Sequence, residues 1–134
     1  MKVLDASFLV DYEAGVEATK EYLLAHDEEV FVIPSVTLLE FLLGDVHGHE
    51  PTNLVAAREL LGWAEVHPVT ERTVVLAAEA ADEIGPQGPR LSAPDALGVG
   101  TARELGATLV SRDRDQTHPE TAAVVEVDEF RSAP

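Results

Sequence analysis

The sequence predicts an α/β domain built on a mainly parallel sheet, and three observations carry that prediction. Short apolar runs rich in β-branched residues alternate with helical stretches along the chain, the order that βαβ units require. The chain has 134 residues, the size of one domain. No repeat, linker or low-complexity segment divides it, so residues 1–134 are expected to form a single unit.

Each element follows from its local pattern. Lys2–Leu4 is a short apolar strand that stops at Asp5. Residues 7–12 open a helix, and residues 13–26 stay helical, with Glu13, Glu17 and Glu21 four apart on a solvated face. Residues 30–33 form a β-branched and aromatic strand, stopped by Pro34. Ser35 is the expected N-cap of a helix that runs through Leu43 and closes at Gly44. Residues 45–51 read as a loop and residues 52–64 as a helix, with Leu54, Ala57, Leu60 and Leu61 facing inward. Residues 66–69 are a short strand or a mere connection, confined to an edge by Pro68. Thr70 caps a helix to about Ile84, and the Gly/Pro-rich residues 85–94 form a loop. Residues 96–105 are a helix ended by Gly106, and Thr108–Ser111 and residues 124–127 are the last strands.

The charge balance narrows the function. There are 25 Asp and Glu residues against 9 Lys and Arg, a formal net charge of −16. Yet 46% of residues are hydrophobic and 25% charged, the proportions of a folded globule. The absence of cysteine excludes disulfides and thiolate metal sites. No apolar run approaches the ~20 residues needed to span a bilayer. An acid within the first five residues argues against a signal peptide, so a soluble, cytoplasmic protein is expected. Lys2 and Lys20 are the only lysines. A generic nucleic-acid-coating surface is thereby excluded, because counterion release needs clustered cations.

Five acids stand where a parallel sheet binds its ligands, outside the carboxyl ends of the strands. Asp5 follows the first strand, Asp113 and Asp115 follow Thr108–Ser111, and Asp95 opens the helix that feeds that strand. Glu40 lies in the helix after the second strand. Clustered carboxylates raise one another's pKa unless a cation neutralises them, and oxygen-only donor sets favour Mg²⁺ or Mn²⁺. Each acid also has a structural reading. Asp5 can cap the helix behind it, Glu40 can complete a capping box with Thr37, and Asp95 gains macrodipole stabilisation. Asp113 and Asp115 can belong to a solvated turn. Shared position, not any single acid, carries the argument.

The runs Val3-Leu4-Asp5-Ala6-Ser7-Phe8-Leu9-Val10-Asp11 and Pro34-Ser35-Val36-Thr37-Leu38-Leu39-Glu40-Phe41-Leu42-Leu43-Gly44 resemble the PIN domain. So do Pro94-Asp95-Ala96-Leu97, with Gly98, Gly100, Thr101 and Ala102, and the run from Leu105 through Ser111-Arg112-Asp113-Arg114-Asp115. Within that superfamily, size and motif spacing are most similar to VapC-type toxins, the ribonuclease halves of toxin–antitoxin pairs. The likeness spans residues 2 to about 127. It implies a three-layer α/β/α sandwich with a central sheet of four or five strands. It also implies an active site of Asp5, Glu40, Asp95 and Asp113 around one or two Mg²⁺ or Mn²⁺ ions. Asp115 is then peripheral, and Ser7 and Ser111 are hydrogen-bond partners of the acids. The implied activity is RNA hydrolysis leaving 5′-phosphate and 3′-hydroxyl ends, and the implied partners are an antitoxin and a second copy of the chain. The sequence departs from the family shortly after the last acidic pair, where an aromatic is usual and this chain has Gln116-Thr117-His118-Pro119, and at Gly98 and Gly100, which replace alanines.

Arg112 and Arg114 are candidates for contact with RNA phosphates or for pairing with local acids. His47 and His49 read as a solvated loop rather than a transition-metal pair. Trp63 is expected in the core or at a partner contact, and residues 16–24 and 38–43 as core or a dimer or antitoxin surface. Two other readings stay open from sequence: an inactive relative that binds RNA or protein, and an acidic interaction domain without metal chemistry. The acids outside the candidate site suit a salt-rich cytoplasm, since at ~1 M salt the Debye length is only ~3 Å. A halophilic origin predicts stability that rises with KCl in thermal melts; a maximum in dilute buffer would refute it.

Overall fold

The computed structural model describes residues 1–48 and 51–134. Its elements run β1 (Lys2–Leu4), α1 (Ala6–Glu13), α2 (Glu17–Ala25), β2 (Phe31–Pro34), α3 (Ser35–Val46), α4 (Leu54–Leu60), β3 (Glu65–His67), α5 (Glu71–Ile84), α6 (Ala93–Leu105), β4 (Thr108–Ser111), α7 (Pro119–Ala122) and β5 (Val127–Glu129). The five strands form one parallel sheet in the order β3-β2-β1-β4-β5. Strand alternation divides the core in two. Leu4, Phe31, Ile33 and Val110 face Phe8 and Leu9 of α1, Tyr22 of α2, Phe41 of α3 and Ala57 of α4. Val3, Val32 and Leu109 face Ala80 of α5 and Val99 and Ala102 of α6. The result is the expected three-layer α/β/α sandwich. The sheet order turns back between β1 and β4, whose register sets Leu4 beside Val110. Asp5 and the Asp113 turn leave the sheet on either side of that switch point, where parallel sheets open a crevice.

The structure corrects several element boundaries. The single helix expected over residues 13–26 is broken at Gly15, whose φ of +77° is a conformation that ends a helix and suits glycine. Gly44 does not close α3, which continues to Val46 because that glycine keeps a negative φ. Ser35 is not the N-cap. Pro34 holds that place, and the Ser35 hydroxyl accepts the Val69 N–H at 3.0 Å, pinning the β3–α5 connection. Ala93 and Pro94 belong to α6 rather than to the loop, because Ser92 caps the helix and a proline in its first turn loses no hydrogen bond. The strand expected over residues 124–127 begins at Val127, since α7 precedes it and Val124 and Val125 pack into the second core. In α4, Ala57 is buried with Leu61 just beyond it, while Leu54 and Leu60 face solvent. Of the pair His47 and His49, the latter lies outside the described residues.

Candidate active site

Asp5 is 7% exposed and caps α1, its Oδ2 accepting the Ser7 N–H at 3.0 Å. Its own N–H donates to the Val110 carbonyl, which ties the end of β1 to β4. The capping role expected of Asp5 therefore holds, and it occupies only one carboxylate oxygen. Glu40 sits midway along α3, and Thr37 lies inside that helix, so no capping box forms between them. Burial, then the charge on Asp5, pushes the Glu40 carboxyl above the usual range.

Asp95 is the third residue of α6, with its N–H on the Ser92 hydroxyl at 3.3 Å. A helix N-terminus favours a carboxylate, but repulsion and burial win here. Burial first, then Asp113 and Asp5, with a smaller push from Glu40, raise Asp95 to about 7 against the pull of Ser92. Asp113 Oδ1 accepts the N–H groups of Asp115 and Gln116, both at 3.0 Å, in a tight turn after β4. One oxygen from each of Asp95, Asp113 and Asp115 lies within 4.8 Å of the others. Asp115, expected at the periphery, thus stands inside the tightest acid group among the described residues. Asp5 and Glu40 stand outside that group and couple to it through charge.

Hydroxyls link the two sides of the rim. The Ser7 hydroxyl accepts the Arg112 N–H at 3.2 Å and lies 3.5 Å from that of Ser111. Arg112 is not free to meet a ligand with its full fork. Its Nε and Nη2 donate to Asp11 at 2.6 and 3.1 Å, and Arg131 Nε donates to the same carboxylate at 2.8 Å. Asp11 is 4% exposed, and the two arginines more than offset its burial and hold its carboxyl below the usual range. Arg114 is exposed and makes no ion pair among the described residues.

Sequence reasoning missed Asp11 and Gln116 as parts of this region. Asp11 sits in the matching motif but gives no local sign of its partners, which lie about a hundred residues on. Gln116 signalled itself only within a stretch that lacks the expected aromatic. Trp63 is 38% exposed and packs edge-on against Tyr12 and Phe31, so it is half core and half surface.

The PIN domain family model matches residues 2–122. The chain belongs to the PIN domain family. No curated protein matches it. Among solved structures, this PIN domain is similar to a chain of a toxin–antitoxin complex from Klebsiella pneumoniae, with a TM-score of 0.78 at 19% identity over 99% of this chain and 100% of that one. DNA-bound VapBC from Salmonella typhimurium gives 0.78 at 17% identity, over 97% and 98%. VapC20 from Mycobacterium tuberculosis, described as a sarcin–ricin loop cleaving toxin, gives 0.60 at 20% identity, over 93% and 96%. At these identities the likeness is one of fold.

The donor set of this PIN domain fits a hard divalent cation. Every clustered ligand atom is a carboxylate oxygen, as Mg²⁺ and Mn²⁺ prefer. Burial first, and then the charges of Asp113 and Asp5, raise Asp95, and a bound cation would offset both.

Proposed function

We propose that this chain is a divalent-cation-dependent endoribonuclease, the VapC-type toxin of a type II toxin–antitoxin pair. The observation that carries the reading is the convergence of Asp95, Asp113 and Asp115, one oxygen from each within 4.8 Å of the others, at the carboxyl rim of the sheet switch point beside Asp5. Membership of the PIN family and a neighbour described as a sarcin–ricin loop cleaving toxin support nuclease chemistry on RNA. Asp5, Glu40, Asp95 and Asp113, joined by Asp115, would hold Mg²⁺ or Mn²⁺. Such a cation supplies activation of water and compensation of charge at the phosphodiester. The chain's own part is to fix the acids. Ser7 N–H orients Asp5, the Ser92 cap places Asp95, and two backbone N–H groups hold Asp113 by one oxygen. Arg114, exposed and without an ion pair among the described residues, is better placed than Arg112, which is held by Asp11, to meet an RNA phosphate.

The neighbours described as toxin–antitoxin and VapBC complexes support an antitoxin partner. Leu39 and Leu43 on α3, and Leu24 at 75% exposure on α2, offer apolar surface for it or for a second copy in a homodimer.

Asp5→Asn tests the assignment, because asparagine caps a helix as well as aspartate does. The purified variant should melt no lower than the wild type in EDTA, since it keeps the cap and relieves Asp95 and Glu40 of one charge. It should leave structured RNA uncut at Mg²⁺ or Mn²⁺ concentrations that activate the wild type. A variant still active and still metal-dependent would sink the site.

A further inference from the structure

We propose that Gln116 is a positioning residue for the acid cluster, setting the distance between the Asp113 turn and the first turn of α6 that carries Asp95. The proposal rests on reading the rim as a divalent-cation site.

Gln116 is 0% exposed, and an amide in a core is tolerated only when its polar atoms are bonded. Its Nε2 donates to the Asp95 backbone carbonyl at 3.2 Å, and its Oε1 accepts the Ser111 hydroxyl at 2.7 Å. Chemistry fixes the orientation of the amide. A backbone carbonyl only accepts, so the nitrogen faces Asp95 and the oxygen is left to Ser111. Ser111 must therefore donate to Gln116, and its oxygen accepts the Asp113 N–H at 3.0 Å. The Gln116 backbone N–H donates to Asp113 Oδ1 at 3.0 Å. One residue thus bonds to α6, to the end of β4 and to the carboxylate that follows it.

Gly98 supplies the room. A Cβ there would lie 3.2 Å from Gln116 Nε2 and 3.8 Å from Leu109 Cδ1. Two of the places where the sequence departs from the family, Gly98 and the stretch that begins at Gln116, meet at this contact. Apolar packing at 116 would fill the space but could not hold the Asp95 carbonyl or the Ser111 proton. The interaction is therefore one of alignment, and its effect should appear in cation affinity more than in stability.

The test compares wild type, Gln116→Met, Gly98→Ala and Leu61→Ala by Mn²⁺ titration, with free Mn²⁺ read by electron paramagnetic resonance. Each sample is also melted in EDTA, and about 1 M KCl screens non-specific uptake by the acidic surface. Gln116→Met keeps the side-chain length without the amide and should raise the Mn²⁺ Kd about tenfold or more, as loss of partners behind metal ligands does. Gly98→Ala should raise it several-fold with little loss of Tm, because alanine favours the helix while displacing the amide; it decides the matter if Gln116→Met does not fold. Leu61→Ala, in the core on the opposite face of the sheet from α6, should lower Tm and leave the Kd unchanged. Wild-type affinity in a folded Gln116→Met or in Gly98→Ala would overturn the positioning role. If wild type itself takes up no Mn²⁺ at fixed stoichiometry, the cation-site reading fails, and the proposal falls with it.

Discussion

Asp95→Asn should make the metal-free protein more stable above pH 7 while abolishing cleavage. The Asp95 carboxyl is pushed up to about 7, chiefly by burial and then by Asp113 and Asp5. In the unfolded chain the same group titrates near its ordinary value of about 3.9. Between those values the folded state keeps a proton that the unfolded state has released. The stability this group contributes is thus fully present below about pH 4 and is lost as pH rises through about 7. Above that, the folded protein holds an ionised Asp95 against its neighbours. Asparagine cannot ionise, so the variant escapes that part of the loss. Glu40, raised for the same reasons, remains in both proteins and leaves a common slope. Asp11 is shifted downward, so its contribution is lost only as pH falls into the acid range, outside this window.

The measurement is thermal melting in EDTA between pH 5 and 8, repeated with Mg²⁺. The wild-type Tm should fall across that range more steeply than the variant's, and the curves should separate toward pH 8. Added Mg²⁺ should restore the wild type and do little for Asp95→Asn. Parallel curves in EDTA would show that Asp95 bears no repulsive load. Loss of function coupled to gain of stability distinguishes a cation site from a solvated acidic face, where neutralising one acid changes neither.

The strands that place the acids were legible because their signals are local. Lys2–Leu4 and Thr108–Ser111 are short apolar runs ending at acids or small polar residues, and the structure keeps both bounds. The parallel-sheet rule then places Asp5, Glu40, Asp95, Asp113 and Asp115 on one side of the sheet. Features set by tertiary partners were not legible. Gly44 and Gly15 look alike in sequence, yet only Gly15 adopts a positive φ, since one helix must turn there and the other packs straight on. Pro94 reads as a loop residue until Ser92 is seen to cap the helix around it. Asp115 entered the tightest acid group only through a turn built on Asp113 Oδ1, and Arg112 was diverted by a buried Asp11. Gly98 and the stretch from Gln116 read only as departures from the family pattern, and their contact across the fold has no local sign.

Gly100→Ala should destabilise the protein, although helix propensity alone predicts the opposite by about 1 kcal/mol. A Cβ at position 100 would stand 2.8 Å from Ala77 Cβ, 2.8 Å from Ala77 N and 2.8 Å from the Thr73 carbonyl oxygen. Two of those three atoms are backbone of α5, so no rotamer change relieves them. The α5 and α6 helices must separate, and overpacking of this kind costs about 1–3 kcal/mol or more. For a domain of this size that is a Tm lower by roughly 4–11 °C. Ala77→Gly added to the variant should restore only part of the loss, because it removes the Cβ and leaves both backbone atoms in place. Gly44→Ala is the control. That glycine also lies in a helix, with nothing among the described residues within 4 Å of its Cβ position, so the same substitution should raise Tm. Opposite signs at positions 44 and 100 would show that close helix packing, not propensity, retains Gly100. Because α6 carries Asp95, an open α5–α6 contact should also weaken Mn²⁺ binding at temperatures where the variant is still folded. An increase in Tm at position 100 would mean that the helices yield without strain.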